Sequence, residues 1–259
     1  MKKSLTKLEL QKLLSETSFH KEITASTGIP IWELENLISE YELQGYRDKI
    51  RYECLSDLFS LESPEFCYML GLWVTDGYWN EGAVSISLSD RDVLERLGEH
   101  FKCKVYLSRR EGMRPTYILS IPTRFCDYFT KLGYSIGVKT FDVHVPRVPD
   151  KNIKYLLRGM IDGDGTIRKG LRDYEVRFFT VSKLLFKQFE YYIKYLGYTY
   201  STHDHKKYGE TTISIRSLDF LVWLYSDRLD LCLDRKLKIV NDKVDDIVHA
   251  YSIVKSRRT

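Results

Sequence analysis

The chain has 259 residues, 43% of them hydrophobic and 29% charged, with 19 tyrosines, 4 tryptophans and a net charge of +4. That balance excludes a disordered chain and leaves room for one large core, or for two compact units with a small appendage. The longest apolar stretch, around Cys67 to Trp73, falls far short of the roughly 20 residues of a membrane helix, and Met1-Lys2-Lys3 is followed by no apolar signal region. A protein of the cytoplasm, in a bacterial or phage-infected cell, is therefore expected, with an organellar origin left open and no membrane partner.

Residues 1–60 read as a small N-terminal helical unit, charged and without the Gly-bounded strands that follow. Ile23, Thr27-Gly28-Ile29, Leu34 and Leu37 fit a helix, a Gly-containing turn and a second helix with Pro30 in its first turn. This spacing resembles a helix-turn-helix that would present Trp32, Glu35 and Asn36 outward. The acidic Glu33, Glu35 and Glu40 favour a plain helical hairpin instead.

From Ser63 the chain runs through two rounds of one plan, assigned to residues 61–145 and 146–259, the latter with a C-terminal helix. The first round holds an apolar helix Glu65 to Val74 ended by Asp76-Gly77, and a strand Val84 to Ser89. A helix Asp90 to His100, strands Lys104 to Ser108 and Thr116 to Ile121, and a helix Thr123 to Leu132 follow. Pro146 and Pro149 mark a linker near Phe141 to Asp150. The second round holds a helix Ile153 to Ile161 ended by Asp164-Gly165, a strand Tyr174 to Val181 and a helix Lys183 to Leu196. It closes with a hairpin near Thr199 to Ile215 and a helix Leu218 to Tyr225. Ser89 and Ser182 are each expected to cap the next helix. Period-2 alternation places Ser85, Ser87, Ser89, Lys104, Tyr106 and Ser108 on an open polar sheet face. Glu175-Val176-Arg177-Phe178-Phe179 departs from clean alternation, a pattern compatible with a bulge.

The two helix ends read Gly71-Leu72-Trp73-Val74-Thr75-Asp76-Gly77 and Gly159-Met160-Ile161-Asp162-Gly163-Asp164-Gly165. Small residues let two helix backbones approach closely, so Gly71 and Gly159 predict that these helices cross and bring Asp76 and Asp164 together. Two carboxylates beside the negative ends of two helix dipoles repel unless a cation neutralises them. Oxygen donors without His or Cys nearby suit Mg²⁺ or Mn²⁺, with the carbonyls of Thr75 and Gly163 as further ligands. Metal held between carboxylates and a phosphate is the chemistry of phosphodiester hydrolysis.

The two motifs, their order and the intervening pattern over about residues 63–240 resemble the LAGLIDADG homing endonucleases of the single-chain, two-motif type. The second motif is near the family's pattern; the first has Val74 where an Asp is common and Thr75 in place of a small residue. The resemblance implies an α+β fold of two pseudo-symmetric αββαββα halves whose antiparallel sheets form a saddle along the major groove. It also implies a monomer that hydrolyses both strands of a long, specific double-stranded DNA target. A basic residue near the end of each half would support the chemistry, and Lys139 and Lys236 stand there, with Lys183 a lesser candidate. Two other activities use this scaffold: a group I intron RNA maturase, and a DNA-binding transcription regulator that has lost its carboxylates and carries a helix-turn-helix. Retention of Asp76 and Asp164 favours the nuclease.

Phosphate binding needs local basic clusters more than a large total charge. Arg109, Arg110 and Arg114 follow Lys104 in the first half, and Arg168, Lys169, Arg177, Lys206, Lys207 and Arg216 are the second half's candidates for DNA contact. His203, Asp204 and His205 read as part of a DNA-proximal hairpin rather than a metal site. Asp162-Gly163-Asp164 fails as a calcium loop, with Ile167 at the sixth position and Asp173 at the twelfth. Five scattered cysteines read as reduced core residues.

Overall fold

The computed structural model describes residues 5–16, 20–43, 58–80, 83–109, 112, 114–122, 126–137, 140–169, 174–205, 207, 209–228 and 230–242. By backbone contacts the chain divides into Met1–Asp57 and Leu58–Thr259. The smaller unit contains α1 (Lys7–Glu16), α2 (His20–Thr27) and α3 (Ile31–Glu40). Its core gathers Leu10, Leu14, Ile23, Ile29, Leu34 and Leu43. Gly28 joins α2 to α3 at φ +72°, and a Cβ there would touch nothing, so the backbone angle rather than crowding calls for glycine. Trp32 is 59% exposed on the first turn of α3, and Glu35 and Asn36 are exposed beside it.

The larger unit is an α+β fold. Its first half runs α4 (Pro64–Asp76), β1 (Gly77–Trp79), β2 (Ala83–Leu88), α5 (Arg91–Phe101), β3 (Lys104–Ser108), β4 (Thr116–Pro122) and α6 (Cys126–Lys131). After a 3₁₀ turn at Asp150–Asn152, the second runs α7 (Ile153–Asp164), β5 (Gly165–Lys169), β6 (Tyr174–Thr180), α8 (Lys183–Tyr195), β7 (Ser201–His205), β8 (Glu210–Ile215) and α9 (Leu218–Leu224). Residues 234–242 form a further helix, α10. Each half thus reads αββαββα, and the two antiparallel sheets share one strand order, β1-β2-β4-β3 and β5-β6-β8-β7.

Helix α4 starts where Ser63 accepts the amide of Phe66 at 3.2 Å and Pro64 occupies the first turn, a place where a missing N–H costs nothing. It is buried along most of its length because it packs directly on α7. A Cβ on Gly71 would overlap Leu156 O and lie 2.9 Å from Gly159 Cα; one on Gly159 would overlap Tyr68 O and lie 3.0 Å from Gly71 Cα. These are backbone atoms and cannot swing aside. The crossing expected from the two glycines is what the structure shows.

Both helices pass into strands with no intervening loop. Gly77 and Gly165 have ordinary extended backbones, but a Cβ would overlap the Trp73 ring at Gly77 and lie 2.8 Å from Ile161 Cα at Gly165. The glycine of each Asp-Gly pair therefore serves the close fold-back of strand on helix. The residue-by-residue reading omitted β1 and β5, since they are short strands opening directly on these glycines.

Two details differ from expectation. Ser89 does not cap α5; Asp90 takes the N-cap place, and its carboxylate is held by Arg235 Nε at 3.0 and 3.2 Å. Ser182 does cap α8, accepting Leu185 N at 3.2 Å. Strand β6 has no bulge among its paired residues, since Val176 to Thr180 pair one for one with Ile215 to Thr211. Phe179 lies beside Thr212 on the polar face, and that one apolar residue disturbed the pattern. The linker over 141–149 is pinned to α8: Gln188 exchanges hydrogen bonds with both N–H and C=O of Val145, at 2.9 and 2.8 Å, and Ser182 Oγ donates to Val143 O.

Gly71→Ala and Gly159→Ala should each destabilise the larger unit by about 3 kcal/mol or more, because the added methyl meets main chain on the facing helix. Thermal denaturation checks this, and a loss under about 0.5 kcal/mol would be incompatible with the crossing.

Candidate active site

The helix crossing sets the ends of α4 and α7 side by side. A Cβ on Gly163 would lie 2.5 Å from Asp76 Oδ2 and would overlap Thr75 Oγ1. The Asp76 carboxylate thus rests against the backbone one residue before Asp164. Asp76 is half-buried and Asp164 exposed. Thr75 Oγ1 donates to Leu72 O at 2.9 Å and stands 3.4 Å from Asp76 Oδ2, so the hydroxyl stays on its own helix and flanks the carboxylate. A cleft of about 410 Å³ opens at this junction, lined by Thr75, Gly77 and Tyr78 from the first half and Asp164, Phe179 and Glu210 from the second.

Among the described residues no cluster of three or more His, Cys, Asp or Glu side chains stands ready to hold a metal. The two aspartates are hard oxygen donors at the C-terminal ends of two helices, where the last carbonyls lack helical N–H partners. That set fits a Mg²⁺-like ion that completes its shell with water and phosphate oxygens, which such ions favour over an all-protein cage.

Sequence reasoning missed the structure behind the second motif. Asp162 is fully buried and accepts Tyr225 OH at 2.7 Å, Tyr68 OH at 2.8 Å and Leu233 N at 2.9 Å. Burial pushes its carboxyl upward, opposed by the charge of Lys236 and by these donors. Since all three partners donate, the carboxylate is the form they fit. Burial, and after it the charge of Asp162, holds the Tyr68 and Tyr225 phenols well above their ordinary range, so both remain donors. Tyr68 comes from α4, so the network joins the halves. Arg158 is also fully buried, donating to the carbonyls of Leu224 at 2.6 Å, Arg228 at 2.9 Å and Leu231 at 3.1 Å. The repeated Asp of Asp162-Gly-Asp164 was the only sequence signal for this layer.

Lys236 is placed differently from a residue that meets phosphate. It is 2% exposed, and Nζ donates to Asp162 O at 2.9 Å, Gly165 O at 2.8 Å and Ile161 O. Its three hydrogens are thereby engaged by backbone. Burial lowers its pKa to about 8, countered by Asp162 and, more weakly, by Asp76. Lys139 lies outside the described residues, although Gly137 and Thr140 beside it line the cleft. Lys183 is exposed at the start of α8.

The sheet face expected to meet DNA is partly as predicted in position. Lys104 and Tyr106 are exposed, Ser87 and Ser108 half-buried, and Arg109, Arg114, Arg168 and Lys207 exposed. Ser85 is corrected: it points to the same face but is only 2% exposed. Register aligns Tyr78, Ser85, Ser120 and Lys104 across the four strands, and Tyr78 of β1 hydrogen-bonds Tyr106 of β3. The two edge tyrosines reach over the middle strands and cover Ser85 and Ile118. In the second sheet Glu175 ties Arg177 at 2.5 Å and Arg216 at 3.4 Å. Burial opposes the ionised carboxylate, and the arginines outweigh it and hold its pKa below the ordinary value. His203 and His205 meet edge to face, and His205 Nε2 lies 3.0 Å from Thr212 Oγ1. Arg110, Lys206 and the Lys169 side chain lie outside the described residues. Cys67, Cys103, Cys126 and Cys232 are free thiols.

Residues 151–243 match the family described as LAGLIDADG-like domain. The match is confined to the second half of the larger unit. Solved structures similar to the chain include homing endonuclease I-DmoI in complex with DNA and Ca, 15% identical over 68% of this chain and 96% of that one, with a TM-score of 0.48. Full-length DUF199/WhiA from Thermatoga maritima is 14% identical over 76% of this chain and 69% of that one, with a TM-score of 0.47. The N-terminal LAGLIDADG domain of DUF199/WhiA is 17% identical over 73% and 94%, with a TM-score of 0.45. No curated protein matches the sequence. The matched LAGLIDADG-like segment contains α7, Asp162, Asp164 and Lys236, hence the buried layer as well as the exposed aspartate.

Tyr225→Phe should cost about 1.5–3 kcal/mol, because it removes a hydrogen bond to a buried charge. Urea denaturation reads that loss. For Lys236 the folded pKa of about 8 lies below the ordinary 10.5, so between those values the unfolded chain binds more protons and stability attributable to this group rises with pH. Lys236→Met should flatten that rise when stability is followed from pH 7.5 to 10.5.

Proposed function

We propose that this chain is a site-specific DNA endonuclease in which Asp76 and Asp164 hold Mg²⁺ or Mn²⁺ against the scissile phosphates of duplex DNA. The observation that supports the reading is the Asp76 carboxylate resting against Gly163, one residue before Asp164, which itself lines the cleft together with Thr75. Two carboxylates at two helix C-termini are an arrangement that stability alone disfavours. A divalent ion between them would take its remaining ligands from phosphate and water oxygens.

In this reading Asp76 and Asp164 are the metal ligands, with Thr75 O and Gly163 O as further donors. The metal, when bound, lowers the pKa of water and stabilises the leaving oxygen. The protein positions the phosphate. Lys104, Arg109 and Arg114 on one side and Arg168 and Lys207 on the other supply exposed cations for the duplex backbone, and Tyr106 and Ser87 face the groove. Arg177 and Arg216, tied to Glu175, offer a pre-oriented pair rather than free charges.

A DNA-binding regulator on the same scaffold is the second reading, favoured by the helix-turn-helix-like α2–α3 arrangement and its exposed Trp32. Cleavage selection from a randomised duplex library, with and without Mg²⁺, separates the two. The nuclease reading expects Mg²⁺-dependent double-strand cuts with staggered ends, abolished in Asp76→Asn and in Asp164→Asn while DNA affinity changes by less than about threefold. Tight, specific binding without nicking in any divalent metal would establish the regulator, and preference for structured intron RNA would establish a maturase.

A further inference from the structure

At the turn from α7 into β5 a buried cation adds hydrogen bonds to those the backbone makes for itself. Asp164 is the last residue of α7 and Gly165 the first of β5, so the acidic side chain sits on a reversal with no spacer. Carbonyls at a helix C-terminus need donors from elsewhere, and a helix end carrying a carboxylate is strongly negative. Lys236, on α10, meets both needs. Its Nζ collects Ile161 O and Asp162 O from the helix side and Gly165 O from the strand side, bracketing Asp164 and Gly163. Lysine suits this because its three hydrogens radiate from one point, which a planar guanidinium does not reproduce.

The first half has no equivalent among its described residues. Both ends return the glycine N–H to the helix, Gly77 N to Trp73 O and Gly165 N to Ile161 O, but in the first half Thr75 Oγ1 caps its own helix and the place matching Asp162 is Val74. The two ends that meet at the cleft are therefore built differently, one held internally and the other braced from α10. Arg96 of α5 binds the segment leading to α10 at Asp230 O, Cys232 O and Asp234, at 2.8 to 2.9 Å, so the brace is itself anchored on the first half.

We infer that Lys236 is a positioning residue that sets the Asp164 carboxylate and the Gly163 carbonyl toward the cleft by clamping the carbonyls on either side of them, without touching the phosphate. It rests on the endonuclease reading. Removing it should loosen the second half's metal ligands and slow one strand more than the other, leaving the protein–DNA surface intact.

The test compares the full-length chain with Lys236→Met and Lys236→Arg. Ca²⁺ affinity of the protein–DNA complex is measured by calorimetry, DNA affinity by fluorescence anisotropy, and single-turnover cleavage by end-labelling each strand separately. Both variants should lose about 10–100-fold in Ca²⁺ affinity and in the rate of one strand, with the other strand and DNA affinity within about threefold. Arginine, which keeps the charge and the fold but not the three-point geometry, guards against the methionine variant failing to fold. Unchanged metal affinity and equal strand rates in a folded Lys236→Arg would overturn the positioning role while leaving the nuclease intact. A wild-type chain that neither binds Ca²⁺ with DNA nor nicks would overturn both together.

Discussion

The contact between α4 and α7 at Gly71 and Gly159 is the constraint from which the rest of the larger unit follows. With hydrogen in place of a side chain on both sides, main chain meets main chain, and the two helices are fixed in rotation as well as in distance. Every later feature inherits that geometry. The same crossing that buries Met69, Leu72, Leu157 and Met160 brings Asp76 against Gly163, one residue before Asp164, and the sheets grow directly from these helix ends. Packing and chemistry are therefore not separable here: a change that relaxes the crossing also separates the acids.

What surrounds the crossing shows how much polar structure the arrangement requires. Asp162, Arg158 and Lys236 are all buried, a costly placement unless each is fully partnered. Each is: Asp162 by two phenols and an amide, Arg158 by three carbonyls and Asp227, Lys236 by three carbonyls. Such a layer adds little net stability over an apolar one, but it admits few alternative arrangements, because any shift leaves a charge without its partner. It lies directly beneath Asp164.

The motif glycines, the Asp-Gly ends and the order of elements were legible because each is a local pattern with a local cause. Strand Lys104–Ser108 was placed to the residue, since its alternation is undisturbed. The two strands that follow Asp76 and Asp164 were not, because they begin on glycine without a turn to announce them. Ser85 was assigned its correct face but not its burial, which depends on two tyrosines from the sheet's opposite edges. Lys236 carried the right charge in the right region, yet its acceptors are main-chain oxygens some seventy positions earlier, and no side-chain pattern encodes them. The N-cap of α5 falls on Asp90 rather than Ser89, and its carboxylate is engaged by Arg235, distant in sequence, instead of by the helix.

Arginines tie the halves together in both directions. Arg96 reaches to Asp230, Cys232 and Asp234; Arg228 reaches to Glu65 and Arg235 to Asp90. Superposing the motifs glycine on glycine, Glu65 corresponds to Ile153, and matching N-cap to N-cap, Asp90 corresponds to Ser182. Two copies of the second half, paired about the same axis, would set Arg228 against an isoleucine and Arg235 against a serine, each without its carboxylate. Exchanging one half for another would therefore have to carry these arginines together with their acidic receivers.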